Sequence, residues 1–192
     1  DRNAPIRVKT CGRALKHTVH LDKVKAEQFV LPIGKKKTHV IGINPSQITT
    51  EDLAVSLPPA ANYVPTDGYS KVAAVERHHN TGKIGVAVAK GYGIRNGAVA
   101  SSVSHDSHNI IVIGDNDRDM ALAVDEIIRT QGGYSVVENG EVFETLPLPI
   151  MGLMSDAGFE SVNETLGRMI KKAHEMGVPA DIEPFITLSF LA

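Results

Sequence analysis

The sequence predicts an α+β fold, with mixed β-sheet layers and two main helices over about residues 118–130 and 155–176. Three observations predict it. Short apolar, β-branched runs cluster early in the chain. Two longer segments with apolar residues at helical spacing follow them, and an Asn-Gly hairpin signal lies between those two. Strands grouped ahead of helices favour mixed layers over strict βαβ alternation.

Taken in order, residues 6–9 and 17–21 alternate apolar and polar side chains, and Phe29-Val30-Leu31 is a third short run before Pro32. Such a set reads as strands completing a sheet begun elsewhere. Residues 38–43 are β-branched and apolar, a strand broken by Asn44-Pro45-Ser46. Thr50-Glu51-Asp52-Leu53 reads as the start of a short helix, and residues 57–68, rich in proline, as a loop. Strands are expected over 71–77, 84–89, 98–104 and 109–113, the last so apolar that both of its faces should be buried. Asp115-Asn116-Asp117 caps the first helix, Gln131-Gly132-Gly133 ends it, and Asn139-Gly140 turns a hairpin between 134–137 and 141–145. The second helix opens at Ser155-Asp156 and is stopped by Gly177 and Pro179. The chain finishes in a very apolar run, 184–191.

Composition narrows the function classes. Hydrophobic residues at 42% and charged residues at 22% match an average globular protein, so a real core is expected over the 192 residues. A formal net charge of -2 argues against broad attraction to nucleic acid or to an anionic membrane. The Lys35-Lys36-Lys37 run reads as a solvated loop. With Cys11 the sole cysteine, no internal disulfide can form, and a cytoplasmic setting is the default, with Cys11 a half-buried structural thiol. No apolar run reaches the ~18 residues of a membrane span, and no secretory pattern opens the chain. An opening at Asp1 in place of methionine suggests processing or excision from something longer.

Two polar clusters could carry chemistry. Ser101-Ser102-Val103-Ser104-His105-Asp106-Ser107-His108-Asn109 gathers two imidazoles, a carboxylate, hydroxyls and an amide between two buried strands. Imidazole carries protons near neutral pH, and Asp106 could orient a ring. The competing reading is a turn whose side chains satisfy its own backbone. His105 and His108 alone are too few ligands for a stable metal site. Glu76-Arg77-His78-His79-Asn80-Thr81-Gly82 closes a strand, where Arg77 could hold a ligand or a carboxylate; a capped turn is the alternative. Gly91-Tyr92-Gly93 lacks the spacing of a phosphate loop and reads as a tight turn, while Met151 and Met154 read as packing residues.

These segments form a set. Arg77-His78-His79-Asn80-Thr81-Gly82 resembles the Arg-His-x-x-Thr-Gly segment of adenine deaminases, and 97–109 resembles that family's most distinctive C-terminal signature. The runs Ile110-Ile111-Val112-Ile113-Gly114, Asn116-Asp117-Arg118-Asp119-Met120-Ala121, 146–155 and 184–192 match in order and spacing; Thr18-Val19-His20-Leu21 and Val40-Ile41-Gly42-Ile43 fit more loosely. The resemblance implies a metal-dependent hydrolase of adenine catabolism and purine salvage, similar to the amidohydrolases, converting adenine to hypoxanthine and ammonia. It also implies a barrel with a dinuclear divalent metal (manganese, iron or zinc) that activates water for attack on the purine. No such barrel is present in this sequence, so no metal ligand is expected in it. Residues 1–33 are then expected to be the remnant of a flanking β-domain, and 34–192 the C-terminal domain, truncated at both ends. The implied partners are adenine, the protein's own N-terminal barrel domain and further copies of itself. In this reading His105, Asp106 and His108 support catalysis or face substrate, while Ser104, Asn109, Arg77, His78 and His79 bind substrate. The piece would cap or complete an active site and be inactive alone. Alternatives are a non-catalytic purine-sensing or oligomerisation module, and an autonomous hydrolase built on His78, His79, His105 and His108.

Overall fold

A computed structural model describes residues 15–191. The strand expected at 6–9 and the expected setting of Cys11 lie outside the described residues. Eight strands form one mixed sheet: β1 (Thr38–Ile43), β2 (Thr50–Val55), β3 (Tyr69–Val75), β4 (Ile84–Lys90), β5 (Gly97–Ser101), β6 (Ile110–Gly114), β7 (Gly133–Glu138) and β8 (Glu141–Pro147). Their spatial order is β2-β1-β4-β3-β6-β5-β7-β8. β1 and β4 run parallel, and every other neighbouring pair is antiparallel.

Helices cover both faces, which explains why β5 and β6 are buried throughout. Alternation sends Ile111 and Ile113 of β6 to one side and Ile110 and Val112 to the other. On the first side they meet α2 (Phe159–Glu175) and α3 (Pro184–Ser189) through Met169, Ala173, Phe185 and Leu188. On the second they meet α1 (Asp117–Thr130) through Met120, Val124 and Ile127. α1 is capped as its sequence demands. Asn116 accepts the Asp119 N–H at 2.8 Å, Asp117 and Asp119 sit at the positive end of the helix dipole, and Gln131 closes the far end in the left-handed region at φ 59°.

Several expectations need correction. Residues 50–53 form the strand β2 and not a helix, because Thr50–Val55 pairs along the whole of β1 and turns Leu53 and Val55 toward a small core around Val40 and Tyr63. That pairing outweighs a weak local capping signal. Residues 17–21 form no strand. They are held through single bonds, such as the His20 N–H to the Arg77 carbonyl at 2.7 Å, while Val19 and Val24 plug the α1-side core. Residues 26–29 make one 3₁₀ turn that buries Phe29 completely. α2 begins at Phe159, four residues later than expected, since Ser155 Oγ accepts the Ala157 N–H and Asp156 pairs with Lys16 at 2.5 Å, which holds 155–158 outside the helix.

The third helix, α3, was not foreseen. Pro184 fits its first turn, where no N–H is needed, and the Glu183 carboxylate accepts the Ile186 N–H. The very apolar terminal run 184–191 is therefore largely used within this fold, although Ile186 stays exposed. No helix of the described residues is long and apolar enough to cross a membrane.

Candidate functional site

One end of the sheet brings the two polar clusters together. β3 and β6 are antiparallel with Val75 opposite Ile110, so the chain leaving β3 runs beside the chain entering β6. Arg77 thereby comes to His108, and its Nε donates to the His108 carbonyl. The expected strands 71–77 and 98–104 in fact stop at Val75 and Ser101, which frees Glu76–His79 and Ser102–Asn109 to form loops.

Arg77 is the centre of this end. It is 2% exposed, and burial pulls its guanidinium below the usual arginine range. Besides the His108 carbonyl, its Nη2 donates to the Met151 carbonyl at 3.0 Å and its Nη1 to the Thr18 carbonyl at 3.2 Å. One side chain thus ties three segments together. Gly152 lies against it in the left-handed region at φ 72°, and a Cβ there would stand 2.8 Å from Arg77 Nη1. Ser102 Oγ fixes the same turn by donating to the Gly152 carbonyl at 2.6 Å.

The histidine-bearing loop is tightly folded. The His108 N–H donates to the Ser104 carbonyl at 3.0 Å, Ser104 Oγ and Ser107 Oγ are hydrogen-bonded at 2.9 Å, and the Asn109 N–H reaches Ser107 Oγ at 3.3 Å. Asp106 and His108 both adopt positive φ, 63° and 49°, a conformation that Asp and His tolerate better than most residues but that still costs about 1 kcal/mol or more each. The loop is anchored to α3 by the His105 N–H on the Ser189 carbonyl at 2.8 Å, and the His105 ring stacks on Phe190 with centroids 5.0 Å apart.

A cleft of about 350 Å³ opens beside Arg77, lined by Thr18, His20, Arg77, His78, His108, Met151 and Leu153. Of the sequence-predicted site residues, Arg77, His78 and His108 line it. Ser104, His105, Asp106, Asn109 and His79 do not. His105 points to solvent with Asp106 3.3 Å from its Nδ1, and His79 is exposed. His78 Nε2 bonds to the Ser107 carbonyl at 3.0 Å, and because a carbonyl only accepts, that nitrogen carries the proton. His108 Nδ1 and Asn109 Oδ1 are buried and have no hydrogen-bond partner among the described residues. Buried polar atoms rarely go unpaired, so these two point to a missing partner.

Glu76 supports the strand end. Burial pushes its carboxyl up, but the Thr81 N–H and hydroxyl and the N–H groups of His79 and His78 outweigh that and hold it at about 2. This carboxylate is an anchor for the 76–81 turn, which matches the capped-turn alternative for this cluster. Arg77 does not pair with it. Among the described residues no three His, Cys, Asp or Glu side chains are placed to hold a metal ion.

Sequence reasoning missed His20, Met151 and Leu153. Met151 and Met154 are 43% and 52% exposed, and Met151 walls the cleft, so the packing role expected of them is not what the fold gives. The signal that could have found all three was the pairing of the motifs at 18–21 and 146–155 with the histidine loop.

Comparisons with known proteins agree with this assembly of motifs. A family model described as the adenine deaminase C-terminal domain matches residues 47–192. The chain is 47% identical over its full length to an adenine deaminase of Desulfitobacterium hafniense, covering 34% of that protein. It is 46% identical over 93% of its length to one from Nitratidesulfovibrio vulgaris, covering 32% of that protein. To the Bacillus subtilis adenine deaminase it is 40% identical over 90% of its length, covering 31%. The chain therefore spans about a third of the length of the curated relatives it matches.

Proposed function

Because this chain belongs to the adenine deaminase C-terminal domain family, we propose that it serves within a longer enzyme that hydrolyses adenine to hypoxanthine and ammonia, and that the Arg77–His108 end of the sheet completes that enzyme's active site. The observation that carries the reading is the buried His108 Nδ1, without a partner here, in the wall of a cleft that Arg77 and His78 also line. The chemistry of water activation belongs to a divalent metal, manganese, iron or zinc, held by the remaining two-thirds of the protein. What this chain's residues do is shape and close the site. His108 offers a ring nitrogen to the purine or to the departing ammonia, His78 flanks it, and Arg77 sets the height of the loop from beneath. Closure over the reaction centre excludes water and strengthens local electrostatics. His105, Asp106, Ser104 and Asn109 are supporting members in this reading, and His79 a peripheral one.

The same proposal places residues 1–33 as the tail of a flanking β-domain and 34–192 as the C-terminal domain. It also includes a cytoplasmic setting, a role in purine salvage, a barrel partner within the same polypeptide, and self-association. The test is adenine turnover by the longer enzyme carrying His105→Ala or His108→Ala, with circular dichroism as a check on folding. A strong loss of turnover with the fold intact is expected, larger for His108. Wild-type turnover in both variants would defeat the reading.

A further inference from the structure

The cleft beside Arg77 has an unusual charge balance. Its walls hold an arginine and three imidazoles, those of His20, His78 and His108, and no carboxylate among the described residues. The nearby acids are turned elsewhere. Glu76 is bound up with the 76–81 turn, Asp106 is exposed beside His105, and Asp22 accepts from Asn80 at 3.1 Å. Arg77 takes part in none of the ion pairs of the described residues.

A buried guanidinium satisfied only by neutral acceptors, three main-chain carbonyls and the Thr18 hydroxyl, keeps its net charge. Taking an ion out of water costs several kcal/mol, and folded proteins ordinarily offset that with a counter-charge. Here the guanidinium is 2% exposed and its carbonyl partners carry no formal charge. Its field therefore acts on whatever enters the neighbouring cleft, where Met151 and Leu153 supply an apolar wall that reduces screening. The His108 ring also lines it, and its Nδ1 is buried without a hydrogen-bond partner among the described residues.

We propose that this cleft is a binding site for a carboxylate, contacted by His78 and His108 and balanced from beneath by the charge of Arg77. One fixed positive charge matches a monoanion, whereas a phosphate dianion would ask for more donors than the walls offer. The volume, about 350 Å³, admits a carboxylate together with the group that bears it. Two sources share this chemistry: a free small carboxylate, and an Asp or Glu side chain from the part of the longer relatives that this chain does not span. The inference goes beyond the deaminase reading and does not require it.

The test is an acetate titration of this chain, following its imidazole NMR signals at mildly acidic pH, with chloride at equal ionic strength as the control. Saturable shifts of His78 and His108 are expected, with His39 and His174 unmoved. Arg77→Gln should weaken acetate binding by about tenfold or more. Since that variant can fail to fold, Leu153→Asp is the second: it plants a tethered carboxylate on the cleft wall and should abolish the acetate response. Repeating the titration in a longer adenine deaminase that contains this sequence separates the sources. Undiminished acetate binding there identifies a free ligand, and its loss identifies an internal side chain. Non-saturable shifts, an equal response to chloride, or full acetate binding in a folded Leu153→Asp variant would overturn the site. Acetate binding alongside normal turnover of the His108→Ala enzyme would remove the deaminase role and leave the carboxylate site standing.

Discussion

Replacing Arg77 with methionine tests whether one buried cation organises this end of the sheet. Methionine fills much of the same volume, so the change removes donors more than it removes packing. Three main-chain carbonyls, those of Thr18, His108 and Met151, lose their partner. A buried acceptor left unpaired costs about 1–3 kcal/mol. Water entering through the cleft can re-solvate some of them, so about 5–6 kcal/mol is a fair gross loss. Against this stands the desolvation of the guanidinium, several kcal/mol, which the variant no longer bears. The net expectation is a destabilisation of about 2–4 kcal/mol, a large share of the 5–15 kcal/mol typical of a domain. Urea unfolding of this chain measures it, with amide exchange at His108 as the local readout, because its N–H bond to the Ser104 carbonyl belongs to the loop that Arg77 holds. A loss under about 1 kcal/mol with unchanged His108 protection would show that the loop stands without Arg77.

Three further perturbations test neighbouring parts of the argument. The folded Glu76 carboxyl is held at about 2 against an ordinary 4.5, so its stabilising contribution is present above 4.5 and is lost as the pH falls toward 2; Glu76→Gln should cost about 1 kcal/mol at neutral pH after solvent screening and should flatten the acid limb of a urea-midpoint profile in that window. Lys71 is 1% exposed and donates to Asp117 at 2.6 Å, Asn62 at 2.9 Å and the Phe29 carbonyl at 3.0 Å, so Lys71→Met should destabilise by about 3–5 kcal/mol and speed proteolysis in the 57–66 loop, both checked on the purified chain. Gly152→Ala combines a left-handed φ with a Cβ pressed against the Arg77 guanidinium, and a loss of about 2–4 kcal/mol is expected in thermal or urea unfolding; an effect within 0.5 kcal/mol would mean the Arg77 contact yields easily.

How much of this was legible in the sequence depends on whether the deciding interactions were local. The helix at 117–130 and the Asn139-Gly140 hairpin are written in capping and turn residues that act within a few positions, and both are present in the structure. Burial of both faces of β6 followed from a run with no polar side chain, Ile110-Ile111-Val112-Ile113. Residues 50–53 misled because Thr50 and Asp52 suit a helix start as well as an edge strand, and only the partner β1 decides between them. Residues 17–21 misled for a related reason: their alternation is real, yet among the described residues no strand pairs with it, and single bonds to Arg77 and Gln131 take over. The candidate site shows the same limit more sharply. Both polar clusters could be picked out by composition, but which imidazole faces a cleft is set by the Val75–Ile110 register, a pairing across 35 residues. That register lays Arg77 under the His108 carbonyl and leaves His105 to stack on Phe190 from α3, an element the sequence did not announce. A buried arginine whose partners are chiefly main-chain carbonyls carries little sequence signature, because any residue can supply a carbonyl. Only the glycine that must leave it room, Gly152, is visible as a residue choice, and its meaning appears once the guanidinium is known to lie against it.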